Sequence, residues 1–253
     1  MPNLPKPLVR TEGDRRTLEF TPGDIQSAMR LSRPHALVLA YARAMMCFAL
    51  FVPRPARILM VGLGGGSMAR FCYRHFPDAH ITVLELHPEV IALRGEFMVP
   101  PDDARFEVVH ADAAEWMAAH VAAPGVFDVI VVDGFDAAGL PPGLSSLPFY
   151  KDCRRRLTPD GVLAANVFSY DPRHRAVLAA LHEAFEGRSC RLDTVAGNNH
   201  ILFAAAGAGS RAGRLQQRLA ARRSLLPGVR LGLIDRLLVR LILIRIACRT
   251  VFR

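Results

Sequence analysis

The run I-L-M-V-G-L-G-G-G-S (Ile58–Ser67), with I-T-V-L-E (Ile81–Glu85) behind it, decides how the whole chain is read. Ile58–Val61 is a short apolar run of the kind that forms a buried parallel strand. Gly62, Gly64, Gly65 and Gly66 then allow a tight turn and leave no Cβ between backbone and ligand. From Ser67 the pattern is helical, so free N–H groups and the positive end of the helix dipole face whatever rests on the glycines. Glu85 closes the next strand about twenty residues on, where a carboxylate can grip both hydroxyls of a ribose. Glycines alone could serve packing. Strand, turn, helix, strand and terminal acid together describe a nucleoside site.

Outward from this segment the alternation of strand and helix patterns is regular. Strands are expected near 57–61, 80–85, 105–109, 127–132 and 161–167, and helices near 67–76, 88–98, 112–122, 146–157 and 172–186. V-F-D-V-I-V-V-D (Val126–Asp133) is almost wholly apolar, as a central strand covered on both faces should be. Ser189–Val195 and His200–Ala206 would add an antiparallel pair at the end of the sheet. The expectation is a Rossmann-like, doubly wound α/β domain. In front of it, Gly13-Asp14 and Pro22-Gly23-Asp24 punctuate short alternating runs and suggest a small β-hairpin region. A helix from about Ala36 to Phe51, ended by Pro53 and Pro55, links the two. The divisions are therefore 1–52, a hairpin region and helix; 53–209, the Rossmann-like nucleoside-binding domain; and 210–253, a basic tail.

Bulk properties narrow the function classes. A chain of 253 residues, 51% hydrophobic and 22% charged, can bury a sizeable core. Its five cysteines are scattered, odd in number and never in a C-x-x-C pair, which argues for reduced thiols in the cytoplasm rather than a disulfide framework or zinc site. The nine histidines show no metal-ligand spacing, so no metal is expected. Prolines stand where a signal peptide would need an apolar run. The net charge of +9 is local: residues 211–253 hold eleven arginines and one acid, Asp235, while the other 210 residues carry about −1. Within Leu231–Phe252, Arg236 and Arg240 share a helix face and Arg245 and Arg249 lie nearly opposite, so the tail is no clean amphipathic stripe. Four arginines also speak against a spanning helix. A membrane surface, a protein partner or the domain itself are the open destinations. Nucleic acid is not expected, because no aromatics interleave the arginines.

In a parallel sheet the ligand lies beyond the carboxyl ends of the strands, near the switch point of strand order. The glycine loop and Glu85 fall there. So does Asp112, after the third strand, where a carboxylate can accept from an adenine amino group, although an Asp at that place can equally cap a helix. Asp133 and Asp136, in D-G-F-D on a Gly- and Pro-rich loop, complete an acidic reaction centre.

At this point the residues resemble a known family. From about Arg16 to Ala206 the chain looks like the spermidine synthases, the polyamine aminopropyltransferases, whose fold joins an N-terminal β-domain to a methyltransferase-type Rossmann domain. L-E-F-T-P-G-D-I-Q resembles that family's hairpin ending in a ligand-contacting Gln, here Gln26. Tyr41 matches the Tyr of its Y-H-E motif, and Gly62 and Gly64 belong to its glycine loop. Glu85 matches its ribose-binding Glu, and Asp112-Ala113 its adenine-binding pair. D-G-F-D resembles its active-site loop D-S-[ST]-D, which implies a catalytic Asp133 and an amine-binding Asp136. L-P-F-Y-K-D-C-R-R-R-L-T-P-D-G-V-L (Leu147–Leu163) follows the family pattern as well. The implied reaction moves the aminopropyl group of decarboxylated S-adenosylmethionine to a small-molecule amine in polyamine biosynthesis. No prosthetic group is implied, and a homo-oligomer, a dimer, is expected.

The departures matter too. Gly65 stands where the family loop G-G-G-D-G-G carries Asp, and Ala42 and Arg43 replace the His and Glu of Y-H-E. The lost Asp and His are amine contacts in the family, so the donor half of the site is better preserved than the acceptor half. Two alternatives stay open: an S-adenosylmethionine-dependent methyltransferase on the same fold, and a non-catalytic nucleoside-binding protein.

Overall fold

Two sheets and the helices between them are visible in the computed structural model, which describes residues 6–120, 122–134, 139–196, 198–210, 212–218 and 231–251. The first sheet is small and antiparallel, in the order β1 (Leu8–Glu12), β2 (Arg15–Glu19), β3 (Ile25–Arg30). A third strand therefore joins the expected hairpin. Its inner residues Leu18, Ala28 and Met29 are fully buried against the main body.

The second sheet carries the fold. After α1 (Ala40–Met45) and α2 (Phe48–Phe51), the chain runs β4 (Arg57–Val61), α3 (Ser67–His75), β5 (His80–Glu85), α4 (Pro88–Ala92), β6 (Phe106–His110) and α5 (Ala113–Ala119). It continues β7 (Phe127–Val132), α6 (Leu147–Arg156), β8 (Leu157–Phe168), α7 (His174–Ala184), β9 (Ser189–Ala196) and β10 (Asn199–Ala205). The strand order is β6-β5-β4-β7-β8-β10-β9. The first five are parallel, and β10 pairs antiparallel with both β8 and β9. Winding goes outward from β4 to β6, then returns and continues from β7 to β8. The switch point is between β4 and β7.

Alternate residues of the central strands feed two cores. Ile58, Met60, Val129 and Val131 pack with Met46 and Phe48 on one face, while Leu59, Val61, Ile130 and Val132 pack with Phe149 and Tyr150 on the other. That double burial is why both strands read as unbroken apolar runs. The exception, Asp128, ties strand ends together: it accepts from the backbone N–H of Ala56 (2.7 Å) and Arg57 (3.0 Å) and from the Thr158 hydroxyl (3.2 Å).

Two expected helices are shorter than their sequence pattern. The single helix over 36–51 is extended through Leu39 and then broken between α1 and α2. Arg43 is the reason at its start. Its guanidinium donates to the carbonyls of Leu37 (3.0 Å) and Val38 (2.8 Å), satisfying acceptors that an uninterrupted helix would have used. The helix expected over 88–98 ends at Ala92, and the chain turns through Met98 at φ 51° so that Phe97 tucks under the glycine loop.

The tail is represented by α8, residues 212–218, and by α9 (Leu231–Val251). Val239, Ile242 and Ile246 of α9 join the same core as β4 and β7, and α9 packs chiefly on β9, with further contact to α1, α2 and α3. Burying one such side chain stabilises by about 1.5–3 kcal/mol.

Candidate active site

The glycine loop turns where β4 ends against β7. Gly62 has φ 93°, and a Cβ there would collide with the carbonyl oxygen of Asp133. Gly62 N–H donates to Leu84 O (2.8 Å) and Asp133 N–H to Val61 O (2.9 Å), so the loop and the end of β7 are pinned together. From beneath, the fully buried Arg70 of α3 donates to the carbonyls of Pro34, Gly65 and Phe97. Burial lowers this guanidinium to a pKa of about 10, which leaves it charged at neutral pH.

Glu85 sits at the carboxyl end of β5, buried at the cavity wall. Its two oxygens accept from Leu63 N–H (2.7 Å) and His87 N–H (2.8 Å), which orient the carboxylate and leave lone pairs for a bidentate ligand. Asp112 does cap α5, its Oδ1 accepting from Ala114 N–H (2.8 Å) and Glu115 N–H (3.2 Å). Both bonds use one oxygen, and Asp112 and Ala113 still line the cavity. The capping and ligand readings of Asp112 are therefore compatible.

Asp133 lies at the floor, on the switch point. Burial raises its carboxyl above the ordinary value, opposed by hydrogen bonds from Asn166 and from the Tyr41 hydroxyl. Asn166 Nδ2 donates to Asp133 Oδ1 at 2.9 Å, and Asn199 Nδ2 in turn donates to Asn166 Oδ1 at 2.9 Å. Tyr41 is itself pushed well above the ordinary phenol range, by burial first and then by the neighbouring Asp133. Its hydroxyl also reaches Gln26 O at 3.3 Å, linking the small sheet to the centre. Gln26 Nε2 donates to Asp24 Oδ2 (2.9 Å) at the rim.

These groups close on one cavity of about 460 Å³, a volume typical of small-molecule sites. Gln26, Tyr41, Gly62, Gly64, Glu85, Asp112, Ala113 and Asp133 all line it. Asp136 lies outside the described residues. Arg43 is not among the lining residues; its charge is directed to the two carbonyls at the start of α1 rather than toward the acceptor side. Gly65 has no space for a side chain, since a Cβ there would stand 2.7 Å from Ser27 Oγ and 2.9 Å from Phe97 Cδ1. Among the described residues no cluster of His, Cys, Asp or Glu could hold a metal ion.

Sequence reading missed Asn166 and Asn199. The signal was present: Asn166 interrupts the apolar run V-L-A-A-N-V-F and is 2% exposed, and a buried amide in a central strand needs partners. It also missed Phe20, which stacks on His87 at 5.6 Å at the cavity wall, because that pairing joins the two sheets.

Comparison with known proteins gives the chain a family. The family model described as the spermine/spermidine synthase domain matches residues 38–185. The chain belongs to the spermine/spermidine synthase family. It is 39% identical over 202 residues to a polyamine aminopropyltransferase of Chromobacterium violaceum, covering 79% of this chain and 76% of that protein. Among solved structures it resembles a probable spermidine synthase from Corynebacterium glutamicum, with a TM-score of 0.69 and 24% identity over 88% of this chain and 90% of that one. It also resembles a spermidine synthase in complex with the transition state analogue AdoDATO, with a TM-score of 0.58 and 22% identity over 79% of this chain and 73% of the other. Those two likenesses bear on the fold. As a spermine/spermidine synthase family member the protein is a transferase with a Rossmann-like core, and among its described residues no helix is long and apolar enough to cross a membrane.

Proposed function

We propose that the protein is an aminopropyltransferase that moves the aminopropyl group of decarboxylated S-adenosylmethionine to a small-molecule amine, a step of polyamine biosynthesis. The observation that carries the reading is Asp133 on the floor of a cavity whose walls also hold Glu85 and Asp112, in a chain of this family. Glu85 takes the ribose hydroxyls, Asp112 and Ala113 the adenine, and Gln26, Gly62 and Gly64 the remainder of the donor.

In the proposed step the acceptor nitrogen's lone pair forms a bond to the carbon attached to the sulfonium sulfur. The C–S bond breaks, its electron pair returns to sulfur, and 5′-methylthioadenosine leaves. The nitrogen loses one proton. A free amine with a pKa near 10.4 costs about 4.6 kcal/mol to present neutral at pH 7. Asp133 offsets part of this by accepting the proton where the amine is held, and orientation toward the carbon supplies more. Asn166 and Tyr41 hold the carboxylate for that task. Asp136 would attract a second, charged amine on the acceptor.

Mass spectrometry of products after incubation with a panel of amines and with both donors tests the reaction. A mass gain of one aminopropyl group is expected with the decarboxylated donor alone; a methyl gain with intact S-adenosylmethionine would replace the reading with a methyltransferase. One observation favours that second reading: Gly65 leaves no acid where the family carries one, which removes a repulsion against a donor carboxylate. Calorimetry with 5′-methylthioadenosine tests the donor site, and undiminished binding by Glu85→Ala would refute it. The reading extends to a cytoplasmic homodimer, in keeping with five cysteines that form no disulfide, and light scattering checks the assembly.

A further inference from the structure

The two faces of α9 point to a second role. At 100° per residue, Val239, Ile242 and Ile246 fall on one side of the helix, and Leu237, Leu241, Ile244 and Cys248 fall within about 60° of one another on the other. The first set is 4%, 6% and 2% exposed, whereas Leu237, Leu241 and Ile244 are 52%, 66% and 61% exposed, and Cys248 is exposed too. Arg236 and Arg240 flank the outward stripe on one side and Arg245 on the other; all three are exposed. Arg236, Arg240 and Arg245, which looked badly placed for a single amphipathic stripe, are the two borders of a second one.

We propose that this outward stripe docks on the surface of an anionic lipid bilayer. An apolar strip bordered on both sides by arginines suits an interfacial helix: the strip enters the acyl boundary and the long cationic side chains reach back to the headgroups. The helix lies on the surface and does not span it, since its other face is committed to the protein core. Apolar burial and a basic surface are the two signals that stable surface attachment requires together, and residues 211–253 concentrate eleven arginines against one acid.

Charge and size separate the lipid from the other occupants. A second copy would present the same face by symmetry, and residues 236–251 contain no Asp or Glu, so arginine rows would meet arginine rows. Three half-exposed aliphatic side chains also fall well short of the roughly 800 Å² that each partner brings to a standard interface. Nucleic acid would set an aliphatic stripe against phosphates, with no aromatic on it for stacking.

The test is flotation of the full chain with vesicles of phosphatidylcholine alone, or of phosphatidylcholine with about one-third phosphatidylglycerol. The expected result is at least about tenfold stronger partition onto the anionic vesicles, weakened by salt. Leu241→Ser/Ile244→Ser and, separately, Arg240→Gln/Arg245→Gln should each abolish most of it while solution mass, melting temperature and transfer activity stay unchanged. The proposal is overturned if anionic vesicles do not float the chain, or if either double variant partitions like the parent. A changed solution mass in Leu241→Ser/Ile244→Ser would assign the stripe to a second copy. A fall in melting temperature would show that the chain itself covers it. Either result also overturns the proposal.

Discussion

Asp133 and Asn166 form the hydrogen-bonded pair on which the proposed chemistry turns. Replacing Asp133 by Asn should lower turnover at least about a hundredfold, within the range that positioned general bases contribute, with 5′-methylthioadenosine binding retained. The same variant should melt no lower than the parent. Burial raises this carboxyl in the folded protein, so its stabilising contribution is present below the ordinary carboxylate value of 3.8 and is lost as pH rises through the folded value. At neutral pH the ionised group is a net cost, and Asn removes it. Calorimetric melting decides the point. For the same reason the acid limb of kcat/KM should lie above the ordinary carboxylate range. Asn166 lowers the Asp133 pKa by donating to it, so Asn166→Ala should move that limb to higher pH as well as reduce kcat. A pH profile measured at saturating donor reads both effects.

At the scale of elements, the glycine loop is shaped by what lies under it. Phe97, from the turn after α4, and Ser27, from β3, leave Gly65 without space for a Cβ, while Arg70 of α3 ties the Gly65 and Phe97 carbonyls together. Restoring the family's acid as Gly65→Asp should therefore cost about 1–3 kcal/mol in overpacking, a fall of roughly 2–10 °C in Tm for a domain of this size. Adding Ser27→Gly should recover only part of the loss, because the Phe97 ring remains 2.9 Å from the new Cβ. Differential scanning calorimetry of the two variants checks this. The parallel strands and the connections between them were readable because apolar runs and glycine turns are local signals. The late start of α1 was not. Its cause, Arg43 turning back on Leu37 and Val38, depends on a side-chain contact that periodicity does not express.

Across the whole molecule, α9 changes what the tail is. Val239, Ile242 and Ile246 contribute roughly 5–8 kcal/mol of burial at about 25 cal/mol per Å², comparable with the 5–15 kcal/mol by which a whole domain is stable. A chain ending at residue 230 should therefore be insoluble or melt far below the parent, as solubility and thermal melting will show. Composition alone makes 210–253 look like an appendage, because an arginine every few residues reads as solvated. The helix resolves that by burying one aliphatic face, with Arg236, Arg240 and Arg245 around its other face.

Local pattern alone specified the Rossmann-like sheet, the glycine turn and the positions of Glu85, Asp112 and Asp133 at the strand ends, since each follows from a short-range pattern of apolar runs, glycines and a terminal acid. The order β6-β5-β4-β7-β8-β10-β9, the hold of Asn166 on Asp133, the crowding beneath Gly65 and the seating of α9 were decided only by tertiary structure. The physical reason is common to all four. Each joins residues far apart in the chain, and the free energy of such contacts comes from burial and hydrogen bonding that exist only once the sheets have packed.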